Sequence, residues 1–272
     1  MNVTINDANT FIYTGGKPWV EGQPTVVMIH GVLNDHSVWI LQSRFLAHHG
    51  YNVLALDLPG HGKSTGTPPA TVQAAAQHVL DLLDTLNIRE AALVGHSFGA
   101  LIALQAASDQ PSRCTHLAMV GVAYPMRVSP VLLEASLNDP EKGIKMVNTF
   151  SLSTLAPPPS GLGPGTWLYG VGLALMRRVL RSNSQHNVFN IGFHACNDYA
   201  DGEAAMTAVS AGQTKVLFLL GEHDQMTPPK GLKPLTALAP TAKTVIVGAG
   251  HQLMLEAPEE ELRALADFLD AR

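Results

Sequence analysis

The chain has 272 residues, 46% of them hydrophobic and 14% charged, which supplies material for a sizeable buried core and excludes an intrinsically disordered protein. The formal net charge is −5, and the 17 Lys and Arg are scattered apart from the cluster Arg177, Arg178 and Arg181, so nucleic acid is not an expected partner. The opening MNVTINDANTFIYTGG has neither the basic nor the apolar region of a secretory signal, and no apolar run reaches membrane-spanning length; a cytoplasmic protein without stable membrane insertion is the expectation.

Taken in order, NVTIN and TFIYT read as an antiparallel hairpin at one sheet edge. Apolar runs of strand length follow: TVVMIHG (25–31), NVLALDL (52–58), AALVGH (91–96), HLAMVGV (116–122), KVLFLLG (215–221) and KTVIVG (243–248). They are continuous rather than alternating, the pattern of strands buried on both faces of a parallel sheet. Val72, Ala76, Val79, Leu83 and Leu86 recur at steps of four and three, which places them on one helix face between two of these strands. The predicted class is α/β: a mostly parallel central sheet with helices on both faces. The alternation stops after Val122 and resumes at Lys215. Residues 123–206 are therefore expected to form an inserted helical cap over a core built from 1–122 and 207–272. Within the insertion, WLYGVGLALMRRVL (167–180) has helical character, and APPPSGLGPG (156–165) reads as a connector or hinge.

The chemistry points to Gly95-His96-Ser97-Phe98-Gly99. This pentad directly follows the strand AALV and directly precedes the helix-like ALIALQAAS, the context of a nucleophile elbow. Gly95 and Gly99 remove side chains that would collide in so tight a turn, and the serine would stand at a strand's carboxyl edge beside a helix N-terminus. A serine hydroxyl needs a base and a carboxylate to orient that base. GEHDQMTPP places Asp224 just past a strand, with Glu222 as the rival acid, and GAGHQLMLEAPEE places His251 in a glycine-rich loop after the last strand. Asp224 is preferred because it lies farther into its loop. The oxyanion donors would be the N–H of Phe98 and, from the MIHGVLND loop turned by Gly31, the N–H of Val32.

Together HGVLNDHSVW, DLPGHGKS, VGHSFGA, GEHD and GAGH resemble the α/β-hydrolase superfamily in spacing and order, across the chain outside 123–206. The resemblance implies a Ser97-Asp224-His251 triad, a His-Gly pair preceding the oxyanion donor, and a structural role for the DLPGHGKS loop. It leaves the substrate open, because one fold hosts many reactions. The expected activity is cofactor-free cleavage of a small to medium carboxylic ester with an apolar part. C–C bond hydrolysis and perhydrolysis are the alternatives within the fold, and a ligand receptor without turnover is the alternative of another class.

The other chemically active residues have structural readings. His30 and His96 are expected to be packed supports of the two catalytic loops, and His61 loop structure. Asp57 should anchor the DLPGHG loop. Cys114 and Cys196 read as reduced thiols filling apolar space. His186, His194, Cys196 and Asp198 match no recognised zinc spacing, so no metal is expected there. Trp167, Leu168, Tyr169, Leu173 and Met176 are candidate pocket residues. Arg177, Arg178 or Arg181 reaching into the pocket would favour a carboxylate-bearing substrate, and arginines directed elsewhere would favour simple esters.

Overall fold

In the computed structural model, which describes residues 1–153 and 167–270, the apolar runs assemble into one eight-stranded sheet. The strands are β1 (Asn2–Ile5), β2 (Ala8–Tyr13), β3 (Thr25–Ile29), β4 (Asn52–Leu56), β5 (Ala91–His96), β6 (Cys114–Val120), β7 (Lys215–Gly221) and β8 (Lys243–Val247). Their order is β1-β2-β4-β3-β5-β6-β7-β8. The β1–β2 hairpin and its seam with β4 are antiparallel, and every later pairing is parallel. The α/β class and the edge hairpin are thus as expected.

Successive residues of β3 explain why the central runs are continuous. Val27 and Ile29 join a core with Leu83 and Leu101, whereas Val26 and Met28 join the opposite core with Trp39 and Leu265. Each such side chain removed from water contributes about 1.5 to 3 kcal/mol, so both faces of the strand select apolar residues. KTVIVG departs from this expectation. As β8 it lies at the sheet edge, where Lys243, Thr244 and Ile246 are exposed, Ile246 by 54%.

Several runs leave the sheet earlier than their hydrophobicity suggests. β3 ends at Ile29, β4 at Leu56 and β6 at Val120, while His30, Asp57 and Val122 just beyond them are also buried. The carboxyl-edge loops are packed inside the protein, so hydrophobicity continues where the strand does not.

The helices flanking the sheet are α1 (Ile40–His48), α2 (Val72–Thr85) and α3 (Phe98–Asp109). Val72, Ala76, Val79 and Leu83 of α2 are buried as their spacing requires, and Thr71 caps the helix by accepting from the Ala74 N–H at 3.1 Å. α3 is buried from Phe98 to Ala107, since it is enclosed by the sheet, α2 and a later helix. Between β6 and β7 come α4 (Pro130–Asn138), α5 (Pro140–Ser151), α6 (Leu168–Ser182), α7 (Val188–Asp198) and α8 (Gly202–Ser210). Four of these helices share an apolar cluster with Leu33 that includes Leu132, Ile144, Met176, Val179 and Phe189. The connector read at 156–165 lies outside the described residues. The chain closes with α9 (Lys233–Leu238), α10 (Leu253–Glu256) and α11 (Pro258–Asp270).

Glu261 of α11 is fully buried and accepts a short hydrogen bond from Gln42 Nε2 of α1. Burial pushes its carboxyl up to about 8, against the weaker opposing pull of Gln42. A carboxyl raised in the folded state stabilises fully below its unfolded pKa, and that contribution disappears as pH rises through about 8. Glu261→Gln should therefore flatten the loss of Tm between pH 5 and 9 and raise Tm at pH 9, which differential scanning fluorimetry across that range will read.

Candidate active site

The loops after β3, β5, β6, β7 and β8 meet at the carboxyl edge of the sheet. Ser97 sits on the turn from β5 into α3 with φ +54° and ψ −115°, a conformation that costs a non-glycine residue about 1 to 3 kcal/mol. The turn is held by backbone hydrogen bonds: Ser97 N–H donates to Val120 O at 2.9 Å, and Ala100 N–H donates to Ser97 O at 2.9 Å. Close approach explains the flanking glycines. A Cβ on Gly95 would overlap the Gly99 carbonyl, and one on Gly99 would overlap the Ile29 carbonyl of β3. Both expected support positions therefore bring backbone segments into contact.

His251 and Asp224 come together as expected. His251 Nδ1 lies 2.8 Å from Asp224 Oδ2, and both residues are buried. Burial works against ionising Asp224, but the electrostatic pull of His251 and the donors of His251 and Thr227 outweigh it and hold the carboxyl at about 2. An ionised Asp224 only accepts, so Nδ1 carries the proton and Nε2 is left as the basic nitrogen. The rival acid Glu222 points away: its side chain is 65% exposed and its carboxylate lies 4.0 Å from His223.

Two further contacts position His251. His96 Nε2 lies 2.9 Å from the His251 carbonyl, and burial pushes the His96 ring down to about 3, so the neutral ring donates through Nε2. The two ring centroids are 4.7 Å apart. His251 N–H donates to Ser151 O at 2.7 Å, which ties the histidine loop to the end of α5. Glu256 reinforces that tie by accepting from Ser153 at 2.8 Å and, through a short bond, from Gly250 N–H.

The carbonyls preceding Val32 and Phe98, the residues expected to supply oxyanion donors, are both held by hydrogen bonds. His30 Nδ1 donates to Gly31 O at 2.8 Å while His30 Nε2 accepts from Leu58 N–H at 3.1 Å, and Asn34 N–H also donates to Gly31 O. Burial lowers the His30 pKa and keeps the ring neutral for both roles. With Gly31 O clamped, the trans peptide turns the Val32 N–H the opposite way. The same reasoning applies to Phe98, whose preceding carbonyl on Ser97 accepts from α3. Neither the Val32 nor the Phe98 N–H has a hydrogen-bond acceptor among the described residues. Gly31 is required here too, since a Cβ would lie 2.9 Å from His96 Nδ1 and 3.2 Å from Ser97 Cβ.

Ser97 and His251 line one cavity of about 290 Å³, whose other walls include Met126, Leu132, Met146, Phe193, Cys196 and Met226. Val32, Asn34 and Met176 join them around a smaller void of about 20 Å³. Of the five candidate pocket residues from 167–176, only Met176 touches either space. Trp167 is 48% exposed, and Leu168 and Leu173 pack as helix residues. The arginine cluster also points elsewhere, with Arg177 paired to Glu141 and Arg178 to Asp35.

Asp57 anchors its loop by accepting from His36 and from Lys63 N–H at 2.9 Å. His61 is buried beside His30 and bonded to Pro59 O. Cys114 and Cys196 are buried free thiols. His194 faces Asp198 at 3.8 Å on an exposed surface, apart from buried Cys196. Among the described residues the group with metal-ligand proximity is Asp35, His36 and Asp57, and its carboxylates are already engaged by Ser37, Arg178, His36 and Lys63.

Several residues around the site carry no motif of their own, among them Gly121, Arg127 and Thr227. Gly121, with φ +56°, lets the backbone pass beside both histidine rings. Arg127 lines the cavity. Thr227 donates from Oγ1 to Asp224 Oδ2 at 2.7 Å and lies 3.1 Å from His251 Nδ1. A Thr227→Val substitution keeps the shape and deletes a donor to a buried carboxylate, worth about 1 to 2 kcal/mol or about 5- to 30-fold. Steady-state ester kinetics should show that loss in kcat, with KM changed less than about twofold, as expected of a group that acts through the acid and base.

A parallel sheet carrying a strained serine turn at the end of a central strand, with an Asp–His pair on later loops, defines an α/β fold of the hydrolase type. The model of the alpha/beta hydrolase family matches residues 26–265, and the chain belongs to that family. Over 105 residues it is 34% identical to (E)-2-((N-methylformamido)methylene)succinate hydrolase of Acinetobacter baylyi, a match covering 38% of this chain and 39% of that protein. The chain thus aligns with well under half the length of this curated relative. Among solved structures, the enol-lactonase from Burkholderia xenovorans LB400 superposes with TM-score 0.81 at 20% identity over 99% of each chain. A thermophilic esterase superposes with TM-score 0.79 at 23% identity over 99% of this chain and 96% of that one. At these identities the two structures speak for the fold. No helix among the described residues is long and apolar enough to cross a membrane.

Proposed function

We propose that the protein is a serine hydrolase of small to medium carboxylic esters, with Ser97 as nucleophile, His251 as general base and Asp224 as the acid that orients it. The observation carrying this reading is the 2.8 Å Asp224–His251 bond beside a cavity that Ser97 shares with His251. Ser97 Oγ attacks the ester carbonyl as its proton passes to His251 Nε2. The N–H groups of Val32 and Phe98 hold the oxyanion, and their lack of acceptors among the described residues supports that role. The imidazolium returns the proton to the departing alcohol, and His251 then activates water to release the acid. No cofactor enters this sequence of steps.

The helical segment 123–206 is proposed as the cap that selects the substrate, since most of the cavity wall comes from it. A volume of about 290 Å³ falls near the small end of ligand sites, which favours short acyl chains. In a panel of p-nitrophenyl esters, turnover should be highest from acetate to hexanoate and fall for decanoate. A folded protein inactive across the panel would overturn the ester reading. C–C bond hydrolysis is the second reading within this fold, because the partial similarity to a hydrolase named for a substituted succinate shows a relative whose named substrate is not a simple ester. Bleaching of a yellow dienone acid by the purified protein, with no ester turnover, would favour that alternative.

A further inference from the structure

We infer that Arg127 makes the cavity a site for esters bearing a carboxylate, on the acyl or the alcohol side, rather than for wholly neutral ones. The inference rests on the ester-hydrolase reading and narrows its substrate class.

Among the described residues lining the cavity, Arg127, itself exposed, is the one Lys, Arg, Asp or Glu, beside apolar walls such as Met126, Leu132 and Phe193. Its place there is fixed from both sides. Tyr124 Oη donates to Ala200 O at 2.6 Å, and Val128 N–H donates to Asn197 Oδ1 at 3.1 Å, so the strand-end segment is bound to the end of α7 and the residues after it. The guanidinium itself spends one donor, Nη1 to Asn197 O at 3.1 Å. Among the described residues it has no carboxylate partner, in contrast to Arg177 with Glu141 and Arg178 with Asp35. Nε and Nη2 are therefore uncommitted, and a planar fork with spare donors matches a carboxylate in two-point geometry. The neighbouring Ser129 hydroxyl, also on the wall, accepts from Leu132 N–H and has its own proton to offer.

The competing role is structural. Asn197 O lies at the carboxyl end of α7, where a cation is favourable, and Arg127 would then be only a helix cap. A cap, however, has no influence on which ester is bound, and that difference separates the two roles.

The test uses Ser97→Ala protein, so that bound esters are not turned over. Ligand-observed NMR titrations compare monoethyl glutarate with ethyl pentanoate, and 4-acetoxybutyrate with butyl acetate. Each pair is matched in shape and differs by one carboxylate. In at least one pair the anionic member should bind roughly three- to tenfold more tightly, the range for a partly exposed two-point ion pair. Adding Arg127→Gln should bring that ratio to within twofold of one, Arg127→Lys should retain part of it, and 0.5 M salt should shrink it. A ratio under three in both pairs, or one that survives Arg127→Gln, overturns the inference. The pair with the larger ratio identifies the side that carries the anion. Because binding is measured without turnover, absence of Ser97-dependent ester cleavage in the unmutated protein would sink the hydrolase reading by itself and leave this comparison readable.

Discussion

Replacing Ser97 by Ala should lower kcat on p-nitrophenyl esters by roughly 10⁴- to 10⁶-fold, with the circular dichroism spectrum and melting cooperativity retained. The hydroxyl is the group removed; the Val120 and Ala100 backbone bonds that hold the turn remain. His251→Ala should cost a similar factor, because no other base is bonded to Asp224 Oδ2 in the right tautomer. The double variant should be little worse than either single one, since the two groups act as a unit and the second loss has nothing left to remove. Independent, multiplying losses would mean that Ser97 and His251 serve different steps. Asp224→Ala should fall somewhat short of these effects, roughly 10⁴-fold, because His96 and Ser151 still hold the His251 backbone.

A second large effect is expected from Gly99→Ala, through stability rather than chemistry. The new Cβ would overlap the Ile29 carbonyl and lie 2.7 Å from His30 O, both backbone atoms of the β3 end that cannot rotate aside. α3 would have to move away from the sheet it packs on along its length. A loss above roughly 3 kcal/mol follows from overpacking at so rigid a contact, together with loss of activity as Ser97 and Gly31 separate. Gly248→Ala is the matched control. Gly248 is exposed and a Cβ there meets nothing within 4 Å, so its effect should stay within about 0.5 kcal/mol in urea titrations.

Much of the fold was legible because the physics is local. Continuous Val, Ile, Leu and Ala runs can be satisfied only where both strand faces are covered, and β3, β4 and β5 have that burial throughout. The order Ser97, Asp224, His251 was legible because each residue stands just past a strand end, where glycines mark the turns. Strand ends were not legible, since His30, Asp57 and Val122 continue the apolar burial inside packed loops. The edge position of β8 was hidden for a related reason: Val245, Ile246 and Val247 look like an interior strand, and only the sheet order exposes Ile246.

The pocket was the least legible part. Leu173 and Met176 carry a helical period, but period does not say which neighbouring element the face meets. Those residues turn toward the apolar cluster of α4, α5 and α7, and the main cavity is walled instead by α4, α5, α7 and the loops after β6 and β7. Arg127 and Thr227 have no sequence pattern of their own. They meet at the cavity because β6 and β7 are adjacent and parallel, so the loops leaving them open onto the same edge. Arg177 and Arg178 were the conspicuous cations, yet Glu141 and Asp35 absorb their charge.

Whether Ser97 is the nucleophile, activated by His251, can be read by treating the protein with a p-nitrophenyl alkylphosphonate and mapping the adduct by tandem mass spectrometry. The expected result is one phosphonyl group per chain on the Ser97 peptide, loss of ester turnover in step with labelling, and labelling slowed at least roughly 10³-fold by His251→Ala. An unlabelled Ser97 in protein that still turns over esters, or labelling at another residue that abolishes activity, would contradict the assignment.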